Sequence, residues 1–202
     1  MRKTLFLPGA GGSAAFWKPV AAHADLDGAF VSWPGLGDEP PDPAVGCIDD
    51  LVSLAAGQIR EPTALIAQSM GGYVAIRLAL AFPTLVRSLV LAVTSGGVPV
   101  AGLGGCDWRS DYASAFPNAA TWIADPVDDL SARIPSIPAP ALLLWGDADP
   151  ISPVAVGKRL ASLLPRSRLR IIPGAGHDLA QTHAEIVAAE IRCHLAAMPS
   201  ER

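Results

Sequence analysis

Six short apolar runs alternate along the chain with longer segments in which apolar residues recur three or four positions apart. The runs cover residues 4–7, 29–33, 63–67, 88–93, 141–145 and 169–172, and the periodic segments cover residues 13–22, 48–60, 70–82, 153–164 and 179–198. Apolar runs bounded by turn residues are typical of strands buried on both faces, and the wider spacing is typical of helices. The pattern therefore predicts a single α/β domain, residues 1–202, with a mostly parallel six-stranded sheet flanked by helices.

Residues 98–138 interrupt this alternation. The segment has no strong strand pattern, contains Gly102, Gly104 and Gly105, and ends in a proline-rich stretch. It also carries aromatic residues, which indicate that it packs on another part of the protein: Trp108, Tyr112, Phe116 and Trp122. Long connections in compact domains often cover functional sites. We predict a lid whose four aromatic side chains line a substrate pocket; an irregular crossover packed on the sheet is the alternative.

Composition and the lengths of the apolar stretches limit the binding partners, the metal sites and the cellular location that we expect. The 202 residues include 15 Lys and Arg against 19 Asp and Glu, a net charge of −4, so no basic surface for nucleic acid is expected. Apolar stretches stay short of the roughly 18 residues that a membrane-spanning helix needs, and the first one ends at Leu7, too early for a signal peptide. Cys47, Cys106 and Cys193 are widely spaced, which fits neither a disulfide framework nor a zinc site. We expect a cytoplasmic protein that uses no metal and no cofactor.

Ser69 stands where a predicted strand passes directly into a predicted helix, in the sequence Ala67-Gln68-Ser69-Met70-Gly71. A serine at such a sharp turn has a strained backbone and needs very small residues two positions away, which Ala67 and Gly71 supply. Its hydroxyl then projects above the sheet, near the positive end of the helix that follows. The placement indicates a nucleophile, and a serine that merely caps an ordinary helix is the alternative.

This turn resembles the nucleophile elbow of the α/β-hydrolase superfamily, whose pattern is Gly-x-Ser-x-Gly. Ala67 replaces the first glycine, a change that adds one methyl group and keeps the nucleophile. The resemblance extends over nearly the whole chain. In many relatives two further strands precede the strand that leads into the loop of residues 8–12. Here the first predicted strand already leads into that loop, so the resemblance implies a trimmed α/β-hydrolase fold.

A serine hydroxyl becomes nucleophilic at neutral pH only when an imidazole takes its proton and a carboxylate orients that imidazole. Asp147 and Asp149 follow the fifth predicted strand and His177 follows the sixth, so both groups lie on the same edge of the sheet as Ser69. The chain order Ser69, Asp149, His177 matches the superfamily. The sequence Gly146-Asp147-Ala148-Asp149 resembles the superfamily's Gly-x-x-Asp pattern, in which the last residue is the acid. The resemblance therefore favours Asp149 as the acid, with Asp147 as the alternative. The other histidines lie in helical segments and are interpreted as surface or packing residues: His23, His183 and His194.

Two backbone N–H groups are expected to stabilise the oxyanion that acyl transfer creates. The residue after the nucleophile, Met70, supplies one, and the resemblance places the other at Ala10 in the loop of residues 8–12. Pro8 replaces a histidine that braces this loop in many relatives. The same loop fits a dinucleotide-binding pattern, but no carboxylate stands at the end of the next predicted strand to bind a ribose.

The resemblance implies a serine hydrolase whose partner is a small-molecule substrate, an ester, thioester or lactone of a small apolar acyl compound. Cofactor-independent lyases and carbon–carbon bond hydrolases use the same residues on this fold, so they are the alternative among enzymes. A noncatalytic small-molecule receptor is a third hypothesis, against which a complete set of Ser69, Asp149 and His177 counts.

Overall fold

The computed structural model describes residues 3–198, and within this range six strands form one parallel sheet. The strands are β1 (Lys3–Leu7), β2 (Ala29–Phe30), β3 (Thr63–Gln68), β4 (Val86–Ala92), β5 (Ala141–Gly146) and β6 (Ser167–Ile172), in the spatial order β2-β1-β3-β4-β5-β6. All five pairings are parallel. The predicted fold class, an α/β protein with six strands, is confirmed.

The helices lie close to the predicted segments, with one exception. They are α1 (Lys18–Ala24), α2 (Ile48–Ala56), α3 (Met70–Ala81), α4 (Arg109–Ala115), α5 (Val154–Leu163), α6 (Leu179–Thr182) and α7 (Ala184–Ala196). The exception is α4, which lies within residues 98–138, where the apolar pattern predicts no helix. The last predicted helix is divided at His183, whose backbone leaves the helical region with φ −127° and ψ 36°. The first predicted helix begins with a 3-10 turn, Ala14–Trp17, and Pro19 then occupies the start of α1, where a missing N–H costs no hydrogen bond.

Two of the inner strands of the sheet, β3 and β5, are buried along their whole length. Every residue of β3 and of β5 is buried, which agrees with the continuous apolar character of these runs. Strand β6 lies at the sheet edge, and there Arg168 and Arg170 are exposed and both pair with Glu190 of α7 at 2.9 Å. Charged side chains on an edge strand hinder pairing with another chain.

Strand β2 is shorter than predicted, since only Ala29–Phe30 of the run at residues 29–33 belong to the sheet. Beyond Val31 the backbone turns towards the loop that follows β1. The Trp33 N–H donates to the Gly12 carbonyl at 2.8 Å, and the fully buried Trp33 indole donates to the Pro8 carbonyl at 2.8 Å. The end of this apolar run therefore supports the loop instead of extending the sheet.

The insertion, residues 98–138, connects β4 to β5 and contains α4 and two 3-10 turns, Thr121–Ala124 and Ile134–Ser136. Besides the local bond from the Val98 N–H to the Ser95 carbonyl, three backbone hydrogen bonds attach it to the rest of the domain. The Cys106 N–H donates to the Pro150 carbonyl at 2.8 Å, the Ala120 N–H to Gly35 at 2.7 Å, and the Leu130 N–H to Gly97 at 2.7 Å. The insertion is thus packed on several loops along its length.

Among residues 3–198, no helix has both the length and the apolar character needed to cross a bilayer. The three cysteines are free thiols on the surface.

His194 of α7 is a buried titratable residue. Its side chain is 8% exposed, and Nε2 lies 2.8 Å from the hydroxyl of Ser88 in β4. Burial lowers the pKa of His194 from 6.5 to about 4, and the nearby charge of Arg168 acts in the same direction. Because the unfolded chain takes up this proton at a higher pH than the folded one, stability falls as the pH drops from 6.5 towards about 4.

We therefore expect the His194→Gln variant, which keeps a polar partner for Ser88 and does not titrate, to lose less stability on acidification than the wild type. Urea unfolding at about pH 7 and about pH 5 measures this difference. His23→Gln is the matched control, because His23 is exposed and its removal should leave the acid-induced loss unchanged. Equal pH dependence in wild type and His194→Gln would contradict the assignment.

Candidate active site

Ser69 lies at a sharp turn between the last residue of β3 and the first residue of α3. Its backbone has φ 51° and ψ −121°, a conformation that side-chain-bearing residues rarely adopt and that costs about 1–3 kcal/mol. The Ser69 N–H donates to the Ala92 carbonyl at 2.9 Å, and the Ser69 carbonyl accepts from the Gly72 N–H at 2.9 Å. The strained turn predicted from the sequence is present, and backbone hydrogen bonds hold it on both sides.

Two glycines make the turn possible. A Cβ atom on Gly71 would collide with the Pro8 carbonyl oxygen, and one on Gly72 would collide with the Thr94 side chain. The start of α3 therefore packs directly against the end of β1 and the end of β4. The Ala67 methyl group, at the position where the superfamily pattern has glycine, is completely buried within the sheet.

The structure brings together the three side chains that the sequence singled out. Nε2 of His177 lies 2.9 Å from the Ser69 hydroxyl, and Nδ1 lies 2.8 Å from Oδ2 of Asp149. The His177 side chain is partly accessible, whereas the Asp149 side chain is fully buried. With Nδ1 donating to the carboxylate, Nε2 is free to accept the hydroxyl proton of Ser69.

Asp149 and Asp147 have different environments. Oδ1 of Asp149 accepts hydrogen bonds from the N–H groups of Ile151 at 2.8 Å and Ser152 at 3.0 Å, which leaves Oδ2 directed at His177. Asp147 is exposed, and its Oδ1 accepts from the Gly174 N–H at 2.6 Å. Asp149 therefore orients the imidazole, while Asp147 braces the loop that leads to it.

Gln68 is a buried residue of this site that the sequence analysis missed. Its amide Nε2 donates to the His177 backbone carbonyl at 3.1 Å, so the residue before the serine also holds the histidine loop. A Cβ atom on Gly9 would collide with the other end of the same amide, Oε1. The signal in the sequence was a long polar side chain at the end of an otherwise apolar central strand.

The loop of residues 8–12 lies beside the serine. A Cβ built on Gly9 would stand 3.1 Å from the Ser69 Cβ. Within residues 3–198, neither the Ala10 N–H nor the Met70 N–H donates to another group of the protein. The two expected oxyanion donors are therefore available to a ligand.

The four aromatic residues predicted to line a pocket are half-buried in the insertion. Trp108, Tyr112 and Phe116 form a ladder along α4, with ring centroids 5.7 Å and 5.1 Å apart. Trp122 packs against the hydrophobic core. Tyr112 differs from the others, because its hydroxyl donates to the Ala10 carbonyl at 2.9 Å and accepts from the Gly37 N–H at 2.9 Å.

In the described part of the chain, no group of three or more His, Cys, Asp or Glu side chains is arranged to hold a metal ion.

The three histidines other than His177 lie far from Ser69 in the sequence and are placed in other parts of the protein. His23 is exposed, His183 lies between α6 and α7, and His194 is buried against β4.

Comparison with known families agrees with this geometry. Residues 4–126 match the model of the Alpha/beta hydrolase family, and residues 106–184 match a second model, that of the alpha/beta hydrolase fold. The chain belongs to the alpha/beta-hydrolase family. Both the predicted resemblance and the predicted enzyme class are confirmed.

Similar proteins of this family include esterases and other hydrolases. The pimeloyl-[acyl-carrier protein] methyl ester esterase of Neisseria meningitidis serogroup C is 29% identical over 206 residues, covering 80% of each chain. The 2-hydroxy-6-oxononadienedioate/2-hydroxy-6-oxononatrienedioate hydrolase of Paraburkholderia phymatum is 26% identical over 230 residues, covering 88% of this chain and 80% of that one. The polyketide synthase ThaQ of Burkholderia thailandensis is 31% identical over 206 residues, which are 76% of this chain and 10% of that much longer protein.

A solved structure shows the same fold. The thermophilic esterase of Thermogutta terrifontis superposes with a TM-score of 0.78 at 23% sequence identity, covering 97% of this chain and 90% of that one.

The two aspartates of this alpha/beta hydrolase should respond differently to removal of charge. Asp149→Asn should lower kcat by roughly 10³- to 10⁴-fold, because an amide cannot hold His177 in the tautomer that accepts the serine proton. Asp147→Asn keeps an oxygen that accepts from Gly174 and should cost less than about tenfold. Steady-state hydrolysis of a p-nitrophenyl ester by both variants compares them, and the reverse order of severity would show that Asp147 is the acid.

Proposed function

We propose that the chain is a serine hydrolase that cleaves an ester, thioester or lactone of a small apolar acyl compound. The observation that carries the proposal is the continuous hydrogen-bonded relay from Ser69 through His177 to the buried Asp149, at 2.9 Å and 2.8 Å. A nucleophile, a base and an orienting carboxylate in this order are the requirements of covalent acyl transfer.

In the first half of the reaction, the Ser69 oxygen attacks the acyl carbon while His177 takes the hydroxyl proton. The carbonyl oxygen of the substrate becomes an oxyanion, which accepts hydrogen bonds from the Ala10 and Met70 N–H groups. His177 then gives its proton to the leaving alcohol or thiol, and Ser69 is left acylated. The Asp149 carboxylate stabilises the imidazolium between these two proton transfers.

In the second half, a water molecule attacks the acyl group on Ser69. His177 takes a proton from the water and returns it to the Ser69 oxygen as the acyl bond breaks. The products are the carboxylic acid and the free enzyme.

The preference for an apolar acyl group follows from the insertion. The middle residue of its aromatic ladder of Trp108, Tyr112 and Phe116 lies beside the loop of Ala10, because the Tyr112 hydroxyl donates a hydrogen bond to the Ala10 carbonyl. Aromatic side chains of this size each offer about 150–250 Å² of apolar surface. The name of the Neisseria relative, a methyl ester esterase, supports an ester as the substrate class.

A second candidate is the cleavage of a carbon–carbon bond. The name of the Paraburkholderia relative, a hydrolase of 2-hydroxy-6-oxononadienedioate, favours it. A substrate of that kind carries two carboxylates, whereas the insertion exposes five aspartates against two arginines: Asp107, Asp111, Asp125, Asp128 and Asp129, with Arg109 and Arg133. This excess of negative charge disfavours a dianionic substrate at the insertion and ranks the ester first.

The proposal predicts that a fluorophosphonate probe labels the wild type once, on the peptide that contains Ser69. Ser69→Ala should abolish the labelling and lower kcat for p-nitrophenyl esters by at least about 10³-fold, since the three residues act as a unit. Ser53→Ala is the matched control, because this exposed hydroxyl in α2 donates only to the Asp49 carbonyl.

A panel of p-nitrophenyl esters and acyl thioesters of rising chain length then ranks the substrates. Wild-type protein that neither reacts with the probe nor hydrolyses any member of the panel would overturn the proposal and favour a noncatalytic receptor. Full activity of Ser69→Ala would overturn the mechanism.

A further inference from the structure

The Tyr112 hydroxyl joins the insertion to the loop that carries an expected oxyanion donor. It donates to the Ala10 carbonyl at 2.9 Å and accepts from the Gly37 N–H at 2.9 Å. Burial raises the pKa of Tyr112, so the hydroxyl keeps its proton and remains a donor at neutral pH. The Tyr112 hydroxyl therefore acts as a hydrogen-bond donor and as an acceptor, both towards groups of the protein.

The loop that Tyr112 contacts is rich in glycine. Three of its five residues, at positions 8–12, are glycines: Gly9, Gly11 and Gly12. Glycine has no Cβ and populates a wide range of backbone angles, so a loop of this composition does not define the direction of its own N–H groups. The Gly12 N–H donates to the Gly9 carbonyl at 3.0 Å and closes a turn over Ala10 and Gly11, and contacts from outside the loop supply the rest of that definition.

Other contacts hold the two ends of the loop. The Pro8 carbonyl accepts from the Trp33 indole at 2.8 Å, and the Gly12 carbonyl accepts from the Trp33 N–H at 2.8 Å. Across residues 3–198, the Ala10 carbonyl has one hydrogen-bond partner, the Tyr112 hydroxyl. The middle of the loop is thus held by its own turn between Gly9 and Gly12 and, at the Ala10 carbonyl, from the insertion.

We propose that Tyr112 is a positioning residue for the oxyanion hole. By fixing the carbonyl of Ala10, its hydroxyl restricts rotation of the peptide groups on either side of the Ala10 Cα and keeps the Ala10 N–H directed at the reacting oxygen. This assignment rests on the proposed serine hydrolase function. It adds a second role to the sequence-based expectation for Tyr112, which made the residue a part of the pocket lining.

The effect of Tyr112 should lie in the rate of the chemical step. An oxyanion donor contributes roughly 10²- to 10³-fold to kcat, and a donor that is present but poorly held contributes part of that. We expect Tyr112→Phe to lower kcat by roughly 10- to 100-fold with little change in KM. The phenyl ring keeps its contacts with Trp108 and Phe116.

A pair of matched substrates separates positioning of the oxyanion from a merely structural role. A thiono ester places sulfur where the ester has its carbonyl oxygen, and sulfur accepts hydrogen bonds more weakly, so the hole contributes less to its cleavage. Tyr112→Phe should therefore lose more activity on the oxo ester than on the thiono ester. Hydrogen exchange at the Gly37 N–H should also become faster, because that group loses its acceptor.

Tyr73→Phe is the matched control, since the sequence contains two tyrosines and the Tyr73 hydroxyl bonds to Arg77 at 3.2 Å within α3. It should keep the wild-type kcat and the wild-type ratio of oxo to thiono ester hydrolysis. Unchanged kcat in Tyr112→Phe, or an equal loss on both esters, would overturn the positioning role while the Ser69-dependent activity of the wild type stands. A wild type without that activity would overturn the proposed function and this inference together.

Discussion

The site depends on the close packing between the end of β1 and the turn from β3 to α3. Ser69 keeps a backbone conformation that costs about 1–3 kcal/mol, and such strain persists only where the surroundings over-determine it. Here Gly71 lets the helix start rest against the Pro8 carbonyl, and the Ala92 carbonyl holds the Ser69 N–H. A larger residue at position 71 would push the helix away from β1. The hydroxyl would then leave the edge of the sheet at which the other site residues meet.

The parallel sheet supplies those residues. Because every strand runs in the same direction, the segments that follow β1, β3, β5 and β6 all emerge at one edge. His177 is held there through its ring by Asp149 and through its backbone by the amide of Gln68. The two restraints act on different atoms, so the imidazole is fixed in both position and rotation. That is the geometry a base needs if it is to accept a proton without first reorganising.

Much of this could be predicted from local sequence. The apolar runs of β3 and β5 are continuous because both faces are covered, and Ser69, Asp149 and His177 each follow a strand, so topology alone places them at one edge. The contacts of Trp33, Gln68 and Tyr112 could not be predicted in this way. Each side chain bonds to a backbone group more than 20 residues away in the chain: 25 residues for Trp33, 109 for Gln68 and 102 for Tyr112. Periodicity and turn chemistry describe neighbours within a few residues, and these partners exist only after the loops have packed.

In the proposed mechanism, these same long-range contacts make the insertion a part of the reaction geometry. Its backbone bonds to Pro150, next to Asp149, and its Tyr112 side chain bonds to Ala10 on the opposite side of the serine. A segment that only covered a pocket would influence the binding of the acyl group. A segment bonded to the carboxylate loop and to the oxyanion loop also influences how well the transition state is held, so that substrate selection and rate depend on the same residues. On the proposed function, substitutions within residues 98–138 therefore change kcat where they hold these two loops and KM where they line the pocket, so the insertion takes part in both.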